Sequence, residues 1–302
     1  MATYEIGKII KSRREALGLS QEDLADGICA VTTLSRIENG ERLPTRNHMD
    51  AFMQRLGYSA TSVEFYTDSE TFGIYELRFK IREASINGDR ELAREYLRKL
   101  EEVYDPESKI DRQVVMLQQI ILKTKKRTVD EELEQLEEAI RLTCPEYSVD
   151  WTPKVLSYEE IILLNCIASA YDDKGQQEIA IEMMFKLRDY YDNHVISLEE
   201  ALRTQPMILY NLSKYLGLAG RYDECIDVCD QGIRIARRTG RCSLLAETLF
   251  NRGWALVYRD WPGDRKAAKE CIKEAIQFAY VMRKVEEKRM KEFFVAQFGE
   301  NP

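Results

Sequence analysis

The sequence has no apolar run of the roughly 18 residues that a membrane-spanning helix needs. Its first residues, MATYEIGKII, lack the apolar core and the small-residue cleavage site of a secretory signal. The seven cysteines are scattered, and none forms a CxxC pair. This usage is typical of reduced thiols, so we expect a cytoplasmic protein.

Catalytic patterns are missing as well. The sequence contains no Ser/His/Asp set, no Gly-rich phosphate loop and no HExxH, and its two histidines, His48 and His194, are far apart. Acid–base and zinc chemistry therefore have few candidate residues. We predict no enzymatic activity, no cofactor and no bound metal.

The charge balance is unusual for a protein that coats nucleic acid non-specifically. The net charge is −8, and residues 1–66 hold eight Lys or Arg against nine Asp or Glu. Any contact with DNA must then come from basic side chains placed locally, since no bulk basic field is present.

The first sixty residues predict four short helices. Ile6, Ile9 and Ile10 form an apolar stripe on the first, and Ser20 with Asp23 is a weak capping box that starts the second. The stretches AVTTLSRIEN and TRNHMDAFMQRLG predict the third and fourth. Two short helices joined tightly within such a set form a helix-turn-helix. The third helix of the set would then enter the major groove of DNA.

The stretches REALGLSQEDLA, which begins at Arg14, and LSRIENGERLP resemble the Xre/Cro-type helix-turn-helix over residues 4–57. This resemblance implies an ion pair between Arg14 and Glu38 that ties the first helix to the end of the third. It also implies base-contacting residues at Val31, Thr32 and Arg36 with Thr33 nearby, and phosphate contacts at Gln21, Asn39 and Arg46.

The residue types suit these roles. Threonine hydroxyls can contact several base edges, and Arg36 can bind a guanine through two hydrogen bonds. Gln21 lies at a helix start, where side chain and backbone N–H can meet a phosphate. The family commonly has Ser where this chain has Ala30, so a capping hydrogen bond of about 1 kcal/mol is lost. A helix-turn-helix that contacts only protein remains an alternative.

The rest of the chain repeats one pattern. Gly88, Gly175, Gly220 and Gly263 are each followed, five places on, by a small residue and, four places later, by an apolar one. A weaker copy without the glycine ends near Ile140. This unit resembles the tetratricopeptide repeat, although the last three glycines are 45 and 43 residues apart, against a usual period of about 34. The paired residues are Ala93 and Leu97, Ala180 and Met184, Cys225 and Cys229, and Ala268 and Ile272.

In tetratricopeptide repeats the first helix of each pair lines a concave groove. An Asn side chain both donates and accepts, as pairing with an extended peptide backbone requires, and a basic side chain can bind an acidic group or a C-terminal carboxylate. Asn residues that only connect neighbouring helices, and aromatic residues that only form core, remain alternatives. The predicted peptide-binding residues are Arg78, Arg82, Gln118, Asn165, Tyr210, Asn211, Lys214, Phe250, Asn251 and Trp254.

Together these features resemble the PlcR/PrgX/Rgg (RRNPP) group of quorum-sensing regulators from Gram-positive bacteria. The resemblance implies an all-α chain, with a lambda-repressor-like helix-turn-helix domain in residues 1–66. Residues 67–302 would form a right-handed superhelix of about five tetratricopeptide-like helix pairs, for ligand binding and dimerisation. It further implies a homodimer that binds double-stranded DNA at an inverted-repeat operator and responds to a short signalling peptide. Two alternatives remain open: repeats that bind a protein partner, and a phage-type repressor with no small ligand.

Overall fold

A computed structural model describes residues 2–57, 69–86, 88–150, 155–194, 196, 198–282 and 284–302. Over this part the chain is helical and contains no strand, which confirms the all-α prediction. None of the helices described is both long enough and apolar enough to traverse a lipid bilayer. The N-terminal helices are α1 (Ala2–Ala16), α2 (Gln21–Ala25), α3 (Val31–Glu38) and α4 (Arg46–Arg55). The later helices are α5 (Ser69–Ile86), α6 (Arg90–Val103), α7 (Lys109–Ile121), α8 (Val129–Thr143), α9 (Tyr158–Asp173), α10 (Gln177–Asn193), α11 (Leu198–Leu218), α12 (Tyr222–Thr239), α13 (Leu245–Arg259), α14 (Asp264–Val281) and α15 (Glu287–Phe298).

The four N-terminal helices enclose an apolar core around Leu24, Leu34 and Phe52. The predicted capping box at Ser20 is present and starts α2. The predicted stripe on α1 is correct for Ile10, which is fully buried, and wrong for Ile9, which is largely exposed. Adjacent residues of a helix lie about 100° apart around its axis, and here Ile10 faces the core while Ile9 lies at the edge of the apolar stripe, 49% exposed.

Helices α5 to α14 follow one another as five consecutive pairs, as the repeat pattern predicts. Each repeat glycine occupies the turn after the first helix of its pair, with positive φ; Gly220, between α11 and α12, has φ +75°. Glycine adopts this conformation at little cost because it has no Cβ. The small residues five places after the glycines, Ala93, Ala180, Cys225 and Ala268, are all fully buried.

Close helix packing is clearest between α13 and α14. A Cβ placed on Gly253 would lie 2.5 Å from Ile272 Cγ1, so the absence of a side chain on α13 lets α14 approach. Ile272 is one of the predicted apolar repeat positions and is fully buried. This contact is the close approach that the repeat pattern predicts for paired helices.

The chain divides into two compact units. Unit 1 comprises Met1–Lys174 and Asn193–Glu200, and unit 2 comprises Gly175–Asp192 and Ala201–Pro302. Helices α1–α4 therefore share a unit with the repeat helices α5–α9. The predicted domain boundary between residues 66 and 67 lies outside the described residues.

Candidate functional site

The outer face of α3 carries the side chains predicted to contact bases. Val31, Thr32 and Arg36 are exposed, and Thr33 is half-buried, while Leu34 on the opposite face is fully buried in the N-terminal core. The helix therefore presents one arginine and neighbouring hydroxyls to solvent on a rigid backbone. These are groups that can form hydrogen bonds with base edges in a major groove.

Helix α3 is fixed to α1 by the predicted ion pair. Arg14 donates through Nε to Glu38 Oε1 at 2.6 Å and through Nη2 to Glu38 Oε2 at 2.9 Å, and both side chains are buried. The hydrogen bond to Glu38 raises the pKa of Arg14 against the opposing effect of burial. Gln21 adds a third donor, with its Nε2 2.7 Å from Glu38 Oε2.

The remaining predicted DNA contacts lie in different surroundings. Asn39 is exposed at the C-terminal end of α3, and Gln21 is half-buried beside Glu38. Arg46 is only 8% exposed, and its Nε lies 3.5 Å from Asp50 Oδ1. Ala30 precedes α3 in N-cap geometry and makes no side-chain capping bond.

The inner face of α4 is joined to α9 by a buried ion pair within unit 1. Arg55 Nη2 lies 2.7 Å from Glu160 Oε1, and the two side chains are only 3% and 1% exposed. Arg55 Nη1 also donates to the carbonyl oxygens of Leu24 and Asp26, at 3.3 and 2.8 Å. Arg55 therefore bonds to the end of α2 and to a repeat helix at once.

Glu160 has a second function at the start of α9. Its Oε2 accepts the backbone N–H of Ser157 at 2.5 Å, in a capping box that begins the helix. Burial raises the pKa of Glu160, but the charge of Arg55 and the hydrogen bond from Ser157 outweigh it, and the pKa is lowered. The carboxylate is thus held in its charged form.

A second polar cluster links α4 to α5 and α7. We refer to this cluster and the Arg55–Glu160 ion pair together as the junction. Asn47 Nδ2 donates to Asp111 Oδ1 at 2.9 Å, and Arg78 Nη1 donates to Asn47 Oδ1 at 3.2 Å. Arg78 and Arg82 each donate to Glu159 Oε1 at 3.4 Å. Two residues predicted to bind a peptide therefore lie beside a carboxylate of α9 in unit 1.

The loop after α2 meets the end of α8 at Gly27. This residue has φ +66°, and a Cβ built on it would lie 1.4 Å from the carbonyl oxygen of Thr143. Only glycine fits there, for reasons of both conformation and space. The backbone just before the predicted recognition helix therefore rests directly on a repeat helix.

A cavity of about 700 Å³ lies next to the junction. Arg46, His48, Tyr104 and Asp111 are among the residues that line it. Burial, followed by the charge of Arg42, lowers the pKa of His48. The lining mixes acidic, basic and apolar side chains, so it favours no single class of ligand.

The other two predicted peptide-binding residues of unit 1 lie on α7 and α9. Gln118 is half-buried on α7, and Asn165 is buried on α9. Unit 1 thus holds four of the ten predicted residues, and two of these four donate to Glu159.

Unit 2 contains the other six predicted peptide-binding residues on two helices. Asn251 Nδ2 donates to Ser213 Oγ at 3.0 Å and so connects α13 to α11. Phe250 is almost fully buried and meets Phe293 edge to face at 5.4 Å, whereas Trp254 is half-buried. On α11 lie Tyr210, Asn211 and Lys214, all half-buried.

Three of these six residues share one small cavity. Tyr210, Phe250 and Asn251 line a space of about 60 Å³ together with four residues that the sequence analysis does not identify: Glu247, Glu286, Arg289 and Met290. Burial, followed by the charge of Glu247, raises the pKa of Tyr210. The final helix α15 supplies Arg289 and Met290, and no spacing in the sequence relates it to α11.

The fold and these sites define a class of protein: a helix-turn-helix whose third helix has an exposed outer face, followed by tetratricopeptide-like helix pairs. Residues 10–63 match the helix-turn-helix family model, and residues 149–292 match the RNPP family C-terminal domain. These two matches confirm the predicted resemblance to the RRNPP regulators.

Solved structures of this architecture share the fold. PlcR of Bacillus thuringiensis in complex with the peptide PapR7 and DNA is 19% identical, with 98% of this chain and 100% of that chain covered and a TM-score of 0.57. Its apo form is 17% identical, with 98% and 99% covered and a TM-score of 0.59. ComR from S. thermophilus in complex with DNA and its signalling peptide ComS is 19% identical, with 97% and 99% covered and a TM-score of 0.51. No curated protein matches the chain.

Proposed function

We propose that this chain is a sequence-specific DNA-binding transcriptional regulator whose affinity for its operator is changed by a short signalling peptide. Residues 1–66 bind DNA, and residues 67–302 bind the peptide and form the dimer. The protein acts in the cytoplasm as a homodimer on an inverted-repeat operator, where twofold symmetry matches two half-sites.

The exposed face of α3 is the observation that carries this proposal. Thr32 and Arg36 face solvent, while Arg14 and Glu38 hold the helix from behind through two short hydrogen bonds. A base-contacting helix needs this combination, because flexible side chains on a mobile helix would lose much of their binding free energy to ordering. Val31 and Thr33 complete the proposed base contacts.

The proposed phosphate contacts are Gln21, Asn39 and Arg46. Asn39 is exposed beside the outer face of α3, which supports its role. The Gln21 side chain donates to Glu38, so its backbone N–H near the start of α2 is the more available group for a phosphate. Arg46 pairs with Asp50, so a phosphate contact there requires this side chain to leave its buried position.

The peptide can act only through a difference in its affinity for two arrangements of the protein. Helix α4 is bonded to α9 through Arg55 and Glu160, so a displacement of α9 changes the position of the helix-turn-helix. We propose that peptide binding shifts the balance between dimer arrangements that space the two recognition helices well or badly for the operator. All ten predicted groove residues remain proposed contacts for this peptide.

The DNA-binding part is tested by selecting a preferred site from random duplexes and then measuring competition in gel shifts. Arg36→Ala should reduce the preference for that site by about 1–3 kcal/mol, as expected for a lost bidentate base contact. Arg234→Ala, an exposed arginine on α12, is the matched control and should leave the preference unchanged. Unchanged selectivity in Arg36→Ala would refute the assignment of α3.

The peptide-binding part is tested with pools of random synthetic heptapeptides. The parent protein should change its operator affinity with a pool, whereas a variant carrying both Asn211→Ala and Asn251→Ala should keep basal operator binding and lose the response. A double variant that responds like the parent would exclude the proposed groove. A protein whose DNA binding responds to no pool would instead favour a repressor without a small ligand.

A further inference from the structure

Glu247, in the first turn of α13, is a buried carboxylate with only one of its oxygens bonded. Lys284 Nζ lies 2.8 Å from its Oε1 and 2.8 Å from the carbonyl oxygen of Ser243. Glu247 is 8% exposed, and its Oε2 is buried with no hydrogen-bond partner among the described residues. A buried acceptor left unpaired costs about 1–3 kcal/mol, and more when it is charged, so this oxygen calls for a donor.

The unpaired side chain lines the cavity of about 60 Å³ in unit 2. Two other groups on the same wall can accept hydrogen bonds. Asn251 uses its Nδ2 to donate to Ser213 Oγ, which leaves its amide oxygen as the acceptor. Tyr210 also lines the cavity, and its hydroxyl can accept a hydrogen bond as well.

Three acceptors around a small space suit one kind of donor. A primary ammonium has three N–H donors and no acceptor, and its hydrogen bonds to a carboxylate are about twice as strong as bonds between neutral groups. The cavity exceeds the roughly 10–15 Å³ that one water-sized group needs, so a single ammonium nitrogen can enter it. A peptide carries this group at its N-terminus and at the end of each lysine side chain.

Building on the peptide-receptor function proposed above, we propose that Glu247, with Tyr210 and Asn251, binds a primary ammonium group of the peptide. Glu286 and Arg289 stand at the exposed rim of the cavity, where their charges are screened by solvent. Lys284 Nζ pairs with Glu247 Oε1 at 2.8 Å, so the ligand contributes donors to a carboxylate that is already paired once.

The test uses three pools of random heptapeptide amides without arginine. The first has a free N-terminus and no lysine, the second is N-acetylated without lysine, and the third is N-acetylated with one lysine. Binding to the full chain is followed by tryptophan fluorescence and by the shift in melting temperature. The parent protein should bind the first pool at least about tenfold more tightly than the second, as expected for a lost charge-assisted bond.

Glu247→Gln should remove most of this preference and leave binding of the acetylated pool unchanged. The glutamine oxygen can still accept from Lys284, so the local packing is retained. Glu270→Gln, an exposed carboxylate on α14, is the matched control and should behave like the parent. Tyr210→Phe removes one acceptor without a change of charge and should give a smaller loss, which provides a second test if Glu247→Gln does not fold.

The outcomes separate the two proposals. Tight binding of the third pool that depends on Glu247 supports ammonium recognition with a lysine side chain as the source. Equal binding of all three pools by the parent and Glu247→Gln overturns the ammonium site and leaves the peptide receptor intact. Failure of every pool to bind the parent overturns the peptide receptor itself, and the ammonium site with it.

Discussion

Arg55 and Glu160 form an ion pair of 2.7 Å between the last residue of α4 and the first turn of α9. The pair connects the helix-turn-helix to a repeat helix inside one compact unit, and water is largely excluded from it. Its arginine also binds two backbone carbonyls near the end of α2. One buried guanidinium therefore bonds to the end of α2 and to α9 at once.

Removal of one partner of this pair should destabilise unit 1 strongly. Arg55→Met leaves the Glu160 carboxylate buried without its countercharge, which typically costs about 3–5 kcal/mol. Arg55→Met combined with Glu160→Gln removes both charges and should recover much of the loss. The free energy of unfolding in urea measures both effects.

The pair of Arg141 and Glu137 on α8, whose side chains are 46% and 21% exposed, provides the control for this experiment. Arg141→Met should cost less than about 1 kcal/mol, because exposed pairs are screened by solvent. Equal losses at Arg55 and Arg141 would show that the junction contributes nothing beyond an ordinary surface ion pair.

The Arg55–Glu160 pair should make the free energy of unfolding depend on pH under acidic conditions. The folded-state pKa of Glu160 is lowered, so its contribution is fully present above the unfolded-state value of about 4.3 and is lost as the pH falls through the folded-state pKa. Burial raises the pKa values of Asp50 and Asp111, which gives these groups the opposite dependence. The parent should therefore be compared with Glu160→Gln between about pH 6 and 2.5. Parallel stability curves for the two proteins would contradict the assignment.

Gly27→Ala should be far more disruptive than the same change at Gly18. Both glycines have nearly the same positive φ, +66° and +67°, but only Gly27 faces the carbonyl oxygen of Thr143. Gly18→Ala should cost about 1–2 kcal/mol for the left-handed conformation alone. Gly27→Ala should exceed this and should raise hydrogen exchange in both the loop after α2 and the end of α8. Similar losses for the two variants would exclude a tight contact at Thr143.

Ala30→Thr should stabilise the helix-turn-helix. The backbone at Ala30 already has N-cap geometry and lacks only a side-chain acceptor, so a hydroxyl should add about 1 kcal/mol. Ala30→Val, which has the shape of threonine without the oxygen, is the matched control. A higher melting temperature for both variants would point to packing as the cause and would contradict the capping explanation.

The sequence predicts local features well, because neighbouring residues determine them. The capping box at Ser20, the missing cap at Ala30 and the ion pair of Arg14 with Glu38 all follow from short patterns or a family motif. The repeat glycines also predict the helix pairs, since a small residue at a fixed distance from a turn lets two helices pack closely.

Contacts between distant helices could not be predicted in this way. Arg78 is predicted to face a peptide, and the structure places it beside Asn47, Asp111 and Glu159. These partners are 31 to 81 residues away, and no periodicity relates them. Glu247 could not be predicted for the same reason. Its ion pair is with Lys284, which lies in the connection that follows α14.

Gly27 and Thr143 have a consequence for the construction of hybrid regulators. A foreign DNA-binding segment fused before α5 would bring its own residue at position 27, and any Cβ there would collide with the end of α8. A functional chimera would have to exchange the matching surface of α8 and α9 together with the helix-turn-helix. The unit of modular transfer in this protein is therefore larger than the helix-turn-helix alone.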